Sequence, residues 1–256
     1  MGLRFCLLAS GSKGNAIFVQ AGGEALLVDC GLSAREALRR LDLAGLDWRA
    51  LKAVLITHEH RDHVTGVGAL SRKLRLPVLA TPAAFSACRS LGAVRHQAFR
   101  AGEALTLGGL TLHPFSTPHD ASDPVGLVIS HGAARLGICT DLGQALNLVQ
   151  ARLSGCQALV VEHNHDPQLL AEGPYPPWLK QRVRSRHGHL SNQQGAELLG
   201  VLHHADLAQV VLAHLSEVNN TPELALAAAR ATLESLGSRA GLCVAGQHEP
   251  GPVLEI

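Results

Sequence analysis

Three histidines, a glutamate and an aspartate crowd into His58-Glu59-His60-Arg61-Asp62-His63, directly after the apolar run Ala53-Val54-Leu55-Ile56. Imidazole and carboxylate donors without thiolate suit Zn2+ first, with Mn2+ or Fe2+ as alternatives. The apolar run has the length and β-branched content of a buried strand. If the chain stays extended past it, His58 and His60 point to the same side, because strand side chains alternate with period two. Asp62 and His63 then fall on the turn and face a second position. Two imidazoles for one ion, and a carboxylate plus an imidazole for its neighbour, begin a dinuclear site. Such a site clamps both the attacking and the leaving oxygen when water displaces an ester. The plain alternative is a solvated loop that carries three histidines, and the placement of the remaining donors argues against it.

Those donors need elements that bring them to one place. Leu26-Leu27-Val28 leads to Asp29, Gly137-Ile138-Cys139-Thr140 to Asp141, and Val211-Leu212-Ala213 to His214. Each is an acid or histidine directly after an apolar strand, as His58 is, and His119 follows a strand at 110–116. Donors at corresponding strand ends meet along one edge of a sheet. Strand-like runs at 3–8, 16–20 and 25–29, divided by Gly-rich turns, predict an opening antiparallel meander. Ser33-Ala34-Arg35-Glu36 reads as a capping box for a helix to about Leu43. Strand 53–56 leads into a helix near 64–74, a strand at 77–80, and a helix from Thr81-Pro82 to Gly92. Strands at 104–107, 110–116, 125–130 and 135–140 fill the middle, then a helix at 143–153 and strand 158–162. Pro167, Gly173, Pro174, Pro176 and Pro177 predict no continuous regular structure over 163–178, a loop long enough to be functional. Ser191-Asn192-Gln193-Gln194 opens a helix to about His204. Strand 208–213, a helix from Thr221-Pro222 to about Leu236 and strand 242–245 follow. The order predicts one α/β domain over 1–256, a sandwich of two mixed sheets with helices outside.

Composition excludes several classes. With 46% hydrophobic and 17% charged residues in 256, the chain reads as globular rather than disordered. No apolar run is long enough to cross a bilayer, and Phe5–Ala9 is too short for a signal-peptide core. Six cysteines without a CxxC pair read as reduced thiols of a cytoplasmic protein; Cys30 and Cys139, beside ligand positions, read as core thiols. A net charge of +1 demands no particular partner, whereas 15 histidines invite a search for metal.

The ordered set Asp29, His58-x-His60-x-Asp62-His63, His119, Asp141 and His214 resembles the metallo-β-lactamase-fold hydrolases over nearly the whole chain. The resemblance implies an αββα four-layer sandwich with the active site on the edge between the sheets. It implies His58, His60 and His119 on one divalent ion, Asp62, His63 and His214 on a second, and Asp141 bridging them. Asp29 matches a position that supports the ligand loop without touching metal. Ser10-Gly11-Ser12-x-Gly14-Asn15, Glu162-x-Asn164-His165-Asp166, Gly188-His189-Leu190-Ser191-Asn192 and His214-Leu215-Ser216-x-x-Asn219-Asn220 look like the YycJ (WalJ) group, described as exonucleases or phosphodiesterases. His189-Leu190-Ser191-x-x-x-Gly195-Ala196-Glu197 also resembles the catalytic histidine motif of tRNase Z, with Glu162 as its paired acid. The long tRNA-gripping arm of that family has no counterpart here.

The catalytic expectation follows. Asp62 orients the attacking water, while Glu162 holds His189 to deliver a proton or neutralise an oxygen. The alternative leaves Glu162 capping a loop and His189 solvated. Lys180, Arg182, Arg184 and Arg186 lie within seven residues, with Tyr175 and Trp178 just before them in a chain only 3% aromatic. Cations beside aromatic faces suit a nucleic-acid strand; the competing reading is a solvated basic helix turn with Trp178 in the core. His165 is expected either to touch substrate or to make a structural hydrogen bond, and His163 and His187 read as surface residues. The Ser10–Asn15 turn precedes a strand, not a helix N-terminus, so it reads as structural rather than as a phosphate cradle. The leading function is a DNA exonuclease, with DNA before RNA as polymer. A small-molecule phosphodiesterase or a glyoxalase II-like thioester hydrolase is the alternative, then a non-enzymatic metal-binding scaffold.

Overall fold

The computed structural model describes residues 2–256. The chain opens with β1 (Arg4–Ala9), β2 (Ala16–Ala21) and β3 (Glu24–Val28), an antiparallel meander. It crosses through α1 (Ala34–Leu43) to β4 (Leu51–Leu55), which pairs with β3 in parallel. α2 (Arg61–Val64), α3 (Val67–Leu74), β5 (Val78–Ala80), α4 (Pro82–Ala87) and β6 (His96–Ala98) extend that sheet. The second sheet begins antiparallel with β7 (Leu105–Leu107), β8 (Leu110–Ser116), β9 (Val125–His131) and β10 (Ala134–Cys139). Past α5 (Asn147–Leu153) it turns parallel with β11 (Ala158–Glu162), and α6 (Pro167–Glu172), α7 (Pro177–Val183) and α8 (Asn192–Leu202) precede β12 (Gln209–Ala213). α9 (Pro222–Ser235) leads to β13 (Gly241–Val244), and β14 (Leu254–Glu255) returns to pair with β1.

Each sheet has seven strands, ordered β14-β1-β2-β3-β4-β5-β6 and β13-β12-β11-β10-β9-β8-β7. Their inner faces enclose one core, in which Phe5, Val19, Leu26 and Leu55 meet Leu112, Ile129, Ile138 and Val211. The outer face of the first sheet packs with Leu41 of α1 and Leu70 of α3. The outer face of the second packs with Val149, Leu199 and Ala229 of α5, α8 and α9. This is the expected αββα sandwich of two mixed sheets. Strands buried on both faces must be apolar throughout, which is why β4, β11 and β12 read as unbroken runs.

Several local expectations change. The helix expected near 64–74 divides at Gly66, whose N–H donates to Cys30 O at 2.8 Å and so leaves the helical ladder. A Cβ there would lie 1.9 Å from Leu32 O, so only glycine allows that contact. The helix from Pro82 stops at Ala87, because Cys88 turns to ψ 80° and the chain dives to bury Leu91. The helix expected from 143 begins at Asn147, since Gly143 N–H is held by Pro118 O at 2.9 Å. Ser33 does cap α1, but Glu36 binds Arg39 and Arg40 instead of closing the box. The segment 163–178 is not structureless: Pro167 and Pro177 stand at the first turns of α6 and α7, where a missing N–H costs nothing. The short edge strands β6 and β14 carried no legible signal.

Candidate metal centre

Three strands of the sandwich end on a residue with left-handed backbone: Asp29 after β3 (φ 59°), Asp141 after β10 (φ 56°) and His214 after β12 (φ 56°). This conformation is uncommon outside glycine but is most tolerated by Asn, Asp and His. It turns each side chain sharply out of its strand onto the shared sheet edge. There the histidines of the β4–α2 loop and His119 converge with them. Donor atoms of His58, His60 and His119 lie within 4.8 Å of one another, as do those of Asp62, His63 and His214. Asp141 stands between the groups, with Oδ2 3.2 Å from His63 Nε2, and Oδ1 3.4 Å from His214 Nε2 and 3.9 Å from His119 Nε2.

The far nitrogen of four of these rings has an acceptor. His63 Nδ1 donates to Asp29 Oδ2 at 2.8 Å, His214 Nδ1 to Glu162 Oε1 at 3.0 Å, and His119 Nδ1 to Gly188 O at 3.2 Å. Thr57 Oγ1 donates to Asp29 Oδ2 at 2.7 Å, so it can accept from His58 Nδ1 at 3.1 Å. A proton held at Nδ1 leaves Nε2 as the lone-pair donor facing inward, the outer support expected of metal-ligating histidines. His58 Nε2 and Asp141 Oδ2 are buried without any hydrogen-bond partner. Buried polar atoms are normally satisfied, so two such orphans aimed into a donor cluster fit a cation. The donor set and its support therefore fit two divalent ions.

Glu162 ties the second half together. Its Oε1 accepts from His189 Nδ1 at 2.8 Å, His214 Nδ1 at 3.0 Å and Asp141 N at 3.2 Å. Its Oε2 accepts from Leu142 N at 2.9 Å and Leu190 N at 3.0 Å. Burial opposes its charge, yet His189 beside it outweighs that and lowers the carboxyl to about 2. Burial likewise opposes charge on Asp141 and Asp62, and neighbouring His63 and His214 hold both well below the ordinary range. Burial disfavours protonated His214, but Asp141, Asp62 and Glu162 raise it to about 10. His63 is raised against its burial by Asp141 and Asp29, and His189 by Glu162. His58 and His119 lie lower, chiefly through burial. The carboxylates thus hold positive charge at the centre, which a divalent ion replaces on binding by expelling protons.

The family described as the beta-lactamase superfamily domain matches residues 24–215. The chain belongs to the metallo-β-lactamase-fold family. Within it, the chain is 35% identical over 245 residues to Exodeoxyribonuclease YycJ of Bacillus anthracis, covering 94% of this chain and 93% of that one. It is 34% identical to Exodeoxyribonuclease WalJ of Streptococcus pneumoniae strain D39, covering 88% and 86%. These matches put it in the YycJ-like group. The crystal structure of the metallo-beta-lactamase fold protein YhfI from Bacillus subtilis superposes with a TM-score of 0.78 over 100% of both chains, at 18% identity.

Around this metallo-β-lactamase-fold centre the remaining candidates separate. His189 sits on the rim of a cleft, whereas His165 is buried, its backbone bridged to Ser191. Burial lowers His165 to about 4. It packs behind the site rather than lining that cleft. His163, expected at the surface, is fully buried against Gly195, because it continues the apolar line of β11 inward. His187 is exposed as expected. Trp178 is 66% exposed, which rules out the reading that packs it in the core. The basic stretch is partly engaged: Arg182 Nε binds Asp120 Oδ2 at 2.6 Å and Lys180 Nζ donates to Ala171 O at 2.6 Å. Arg184 and Arg186 are exposed.

Three contributors were not legible in advance. Asn15, on the turn read as structural, donates from Nδ2 to Asp62 Oδ2 at 3.1 Å and lies 3.0 Å from His63 Nε2. Asp120 has Oδ1 3.4 Å from His119 Nε2. Asn164 Nδ2 donates to His214 O at 2.9 Å. Only Asp120 had a usable signal, being an acid next to an expected ligand.

Proposed function

We propose that this chain is a dinuclear metal hydrolase that cleaves phosphodiester bonds from an end of a nucleic acid, DNA before RNA. The observation that carries the reading is that Asp141 joins both donor groups and also lies 3.8 Å from His189, so metals and proton donor serve one reacting centre. The relatives named exodeoxyribonucleases support DNA as the polymer. His58, His60 and His119 would hold one ion, Asp62, His63 and His214 the other, and Asp141 both; Zn2+ suits the donors first, Mn2+ or Fe2+ next. Bound ions supply charge neutralisation on phosphoryl oxygens and make water acidic enough to ionise near neutral pH.

The chain's own groups do the rest. Asp62, fixed by Asn15, orients the attacking water. His189 Nδ1 donates to Glu162, which leaves Nε2 to carry a proton to the leaving oxygen or to a non-bridging oxygen. Arg184 and Arg186, with Lys180 and Arg182, would neutralise phosphates of the polymer. Five of the six cysteines are buried and none is paired, which supports a reducing cytoplasm. Among the described residues no helix is long and apolar enough to cross a membrane.

Two measurements test this. Metal analysis of saturated protein should find two ions per chain, with Asp141→Ala impairing both sites; a ceiling of one ion rejects the dinuclear assignment. A hydrolysis panel of end-labelled DNA and RNA, bis(p-nitrophenyl) phosphate and S-lactoylglutathione should show DNA as the best polymer. Thioester turnover without DNA cleavage would reverse the assignment.

A further inference from the structure

A cleft of about 160 Å3 opens beside His189, between α7 and the turns that follow β1 and β12. Ligand clefts commonly span about 300–1,000 Å3, so this one admits a single unit of a polymer and not a length of strand. Its lining is mixed. Leu179 and Val183, four apart on α7, present apolar wall, and Tyr175 adds the only tyrosine of the chain. Arg182 and Ser216 supply donors on the same cleft. An aromatic and aliphatic wall with donors at one side suits a nucleoside carrying phosphate.

The cleft is closed at the back by hydrogen bonds. The segment after β11 is stitched to the turn after β12 through Ser216 N to Asn164 O and Asp166 N to Asn219 O, both at 2.8 Å. Gly173, at the end of α6, approaches the same turn so closely that a Cβ would lie 2.6 Å from Asn219 Oδ1. Lys180 Nζ also ties α7 to Ala171 O. At the front, Arg182 is aimed by Asp120, which adjoins His119 of the metal centre. The way in is therefore past the reacting centre, and there is no way through.

We infer that this cleft, bounded by Tyr175, Leu179 and Arg182, receives the terminal nucleoside of a single strand and thereby restricts cleavage to ends. The inference rests on the nuclease reading and extends it from reaction to mode of attack. A strand seated this way presents its last phosphodiester to His189 and the donor cluster. Each turnover adds one water across that bond and releases one mononucleotide.

The test compares a linear single-stranded oligodeoxynucleotide with a covalently closed circle of the same sequence, using metal-loaded full chain. Wild type should convert the linear strand to mononucleotides and leave the circle intact. Tyr175→Ala should raise KM for the linear strand on the order of tenfold, the usual effect of removing one base-stacking ring. Leu179→Trp, which fills the cleft, should lower kcat/KM further. Both positions are only half-buried, and metal content and melting temperature report independently that each variant is folded. Comparable cleavage of the circle, or unchanged linear-strand kinetics in both folded variants, would overturn the pocket and leave the nuclease reading standing. Absence of cleavage on both DNA forms would overturn the nuclease reading, and the pocket with it.

Discussion

Among single residues, Glu162 carries more than the pairing with His189 expected of it. Both its oxygens accept only from N–H groups, so a glutamine amide placed there must turn an NH2 toward a donor. Leaving buried donors unpaired costs about 1–3 kcal/mol each. Glu162→Gln should therefore lower the melting temperature and weaken the second ion through His214, as well as slow turnover. His189→Ala touches no expected ligand support. It should keep two ions per chain while turnover falls by about 10²–10⁴, the range for lost acid–base or oxyanion assistance. Metal analysis beside single-turnover rates separates the two variants. Equal metal loss in both would place His189 among the supports of the centre.

At the scale of elements, the loop after β3 and the loop after β4 approach each other more closely than side chains allow. A Cβ on Gly31 would lie 1.6 Å from Asp62 O, where Asn15 N–H also donates at 2.8 Å. Gly31→Ala should push Asp62 away, lowering affinity for the second ion and the melting temperature together. Equilibrium metal titration and thermal unfolding check this, and a wild-type profile in both would contradict it. α7 makes a separate prediction. If Arg182, Arg184 and Arg186 contact about three phosphates, the log–log slope of single-strand binding against salt should be near −2. Replacing all three with Ala should flatten that slope and raise KM for polymer. A slope unchanged in the triple variant returns α7 to ordinary surface.

For the whole molecule, metal, protons and stability are linked. His63 and His214 are raised, the latter to about 10, so ions entering near neutral pH must displace their protons. Apparent metal affinity should rise with pH, and calorimetric titration in buffers of different ionisation enthalpy should register net proton release. A buffer-independent heat would contradict the charge balance. Acid acts on other groups. Burial lowers His163 and His165 from 6.5 to about 4, so between those values the unfolded chain binds protons that the folded chain does not. Stability must then fall as pH drops from about 6.5 toward 4. Replacing both histidines with Gln should shrink that loss in melts recorded with chelator, and an unchanged pH profile would exclude them as the cause.

The amino-acid sequence by itself determined the layered fold and the seven ligand candidates. Strands buried on both faces must be continuous apolar runs, and donors placed directly after such runs must emerge on the sheet edge. The capping residues Ser191 and Thr221 and the glycine turns of the meander were readable for the same reason: their effects act within a few residues. What only tertiary structure decided depends on distant segments meeting. Asn15 reaches Asp62 across 47 positions, and Asp120 reaches Arg182 across 62. Glu162 gathers His189, His214 and the turn after Asp141 because β10, β11 and β12 lie side by side in parallel. The burial of His163, the exposure of Trp178 and the closed back of the α7 cleft have the same origin. Each is set by packing against residues that no local pattern names.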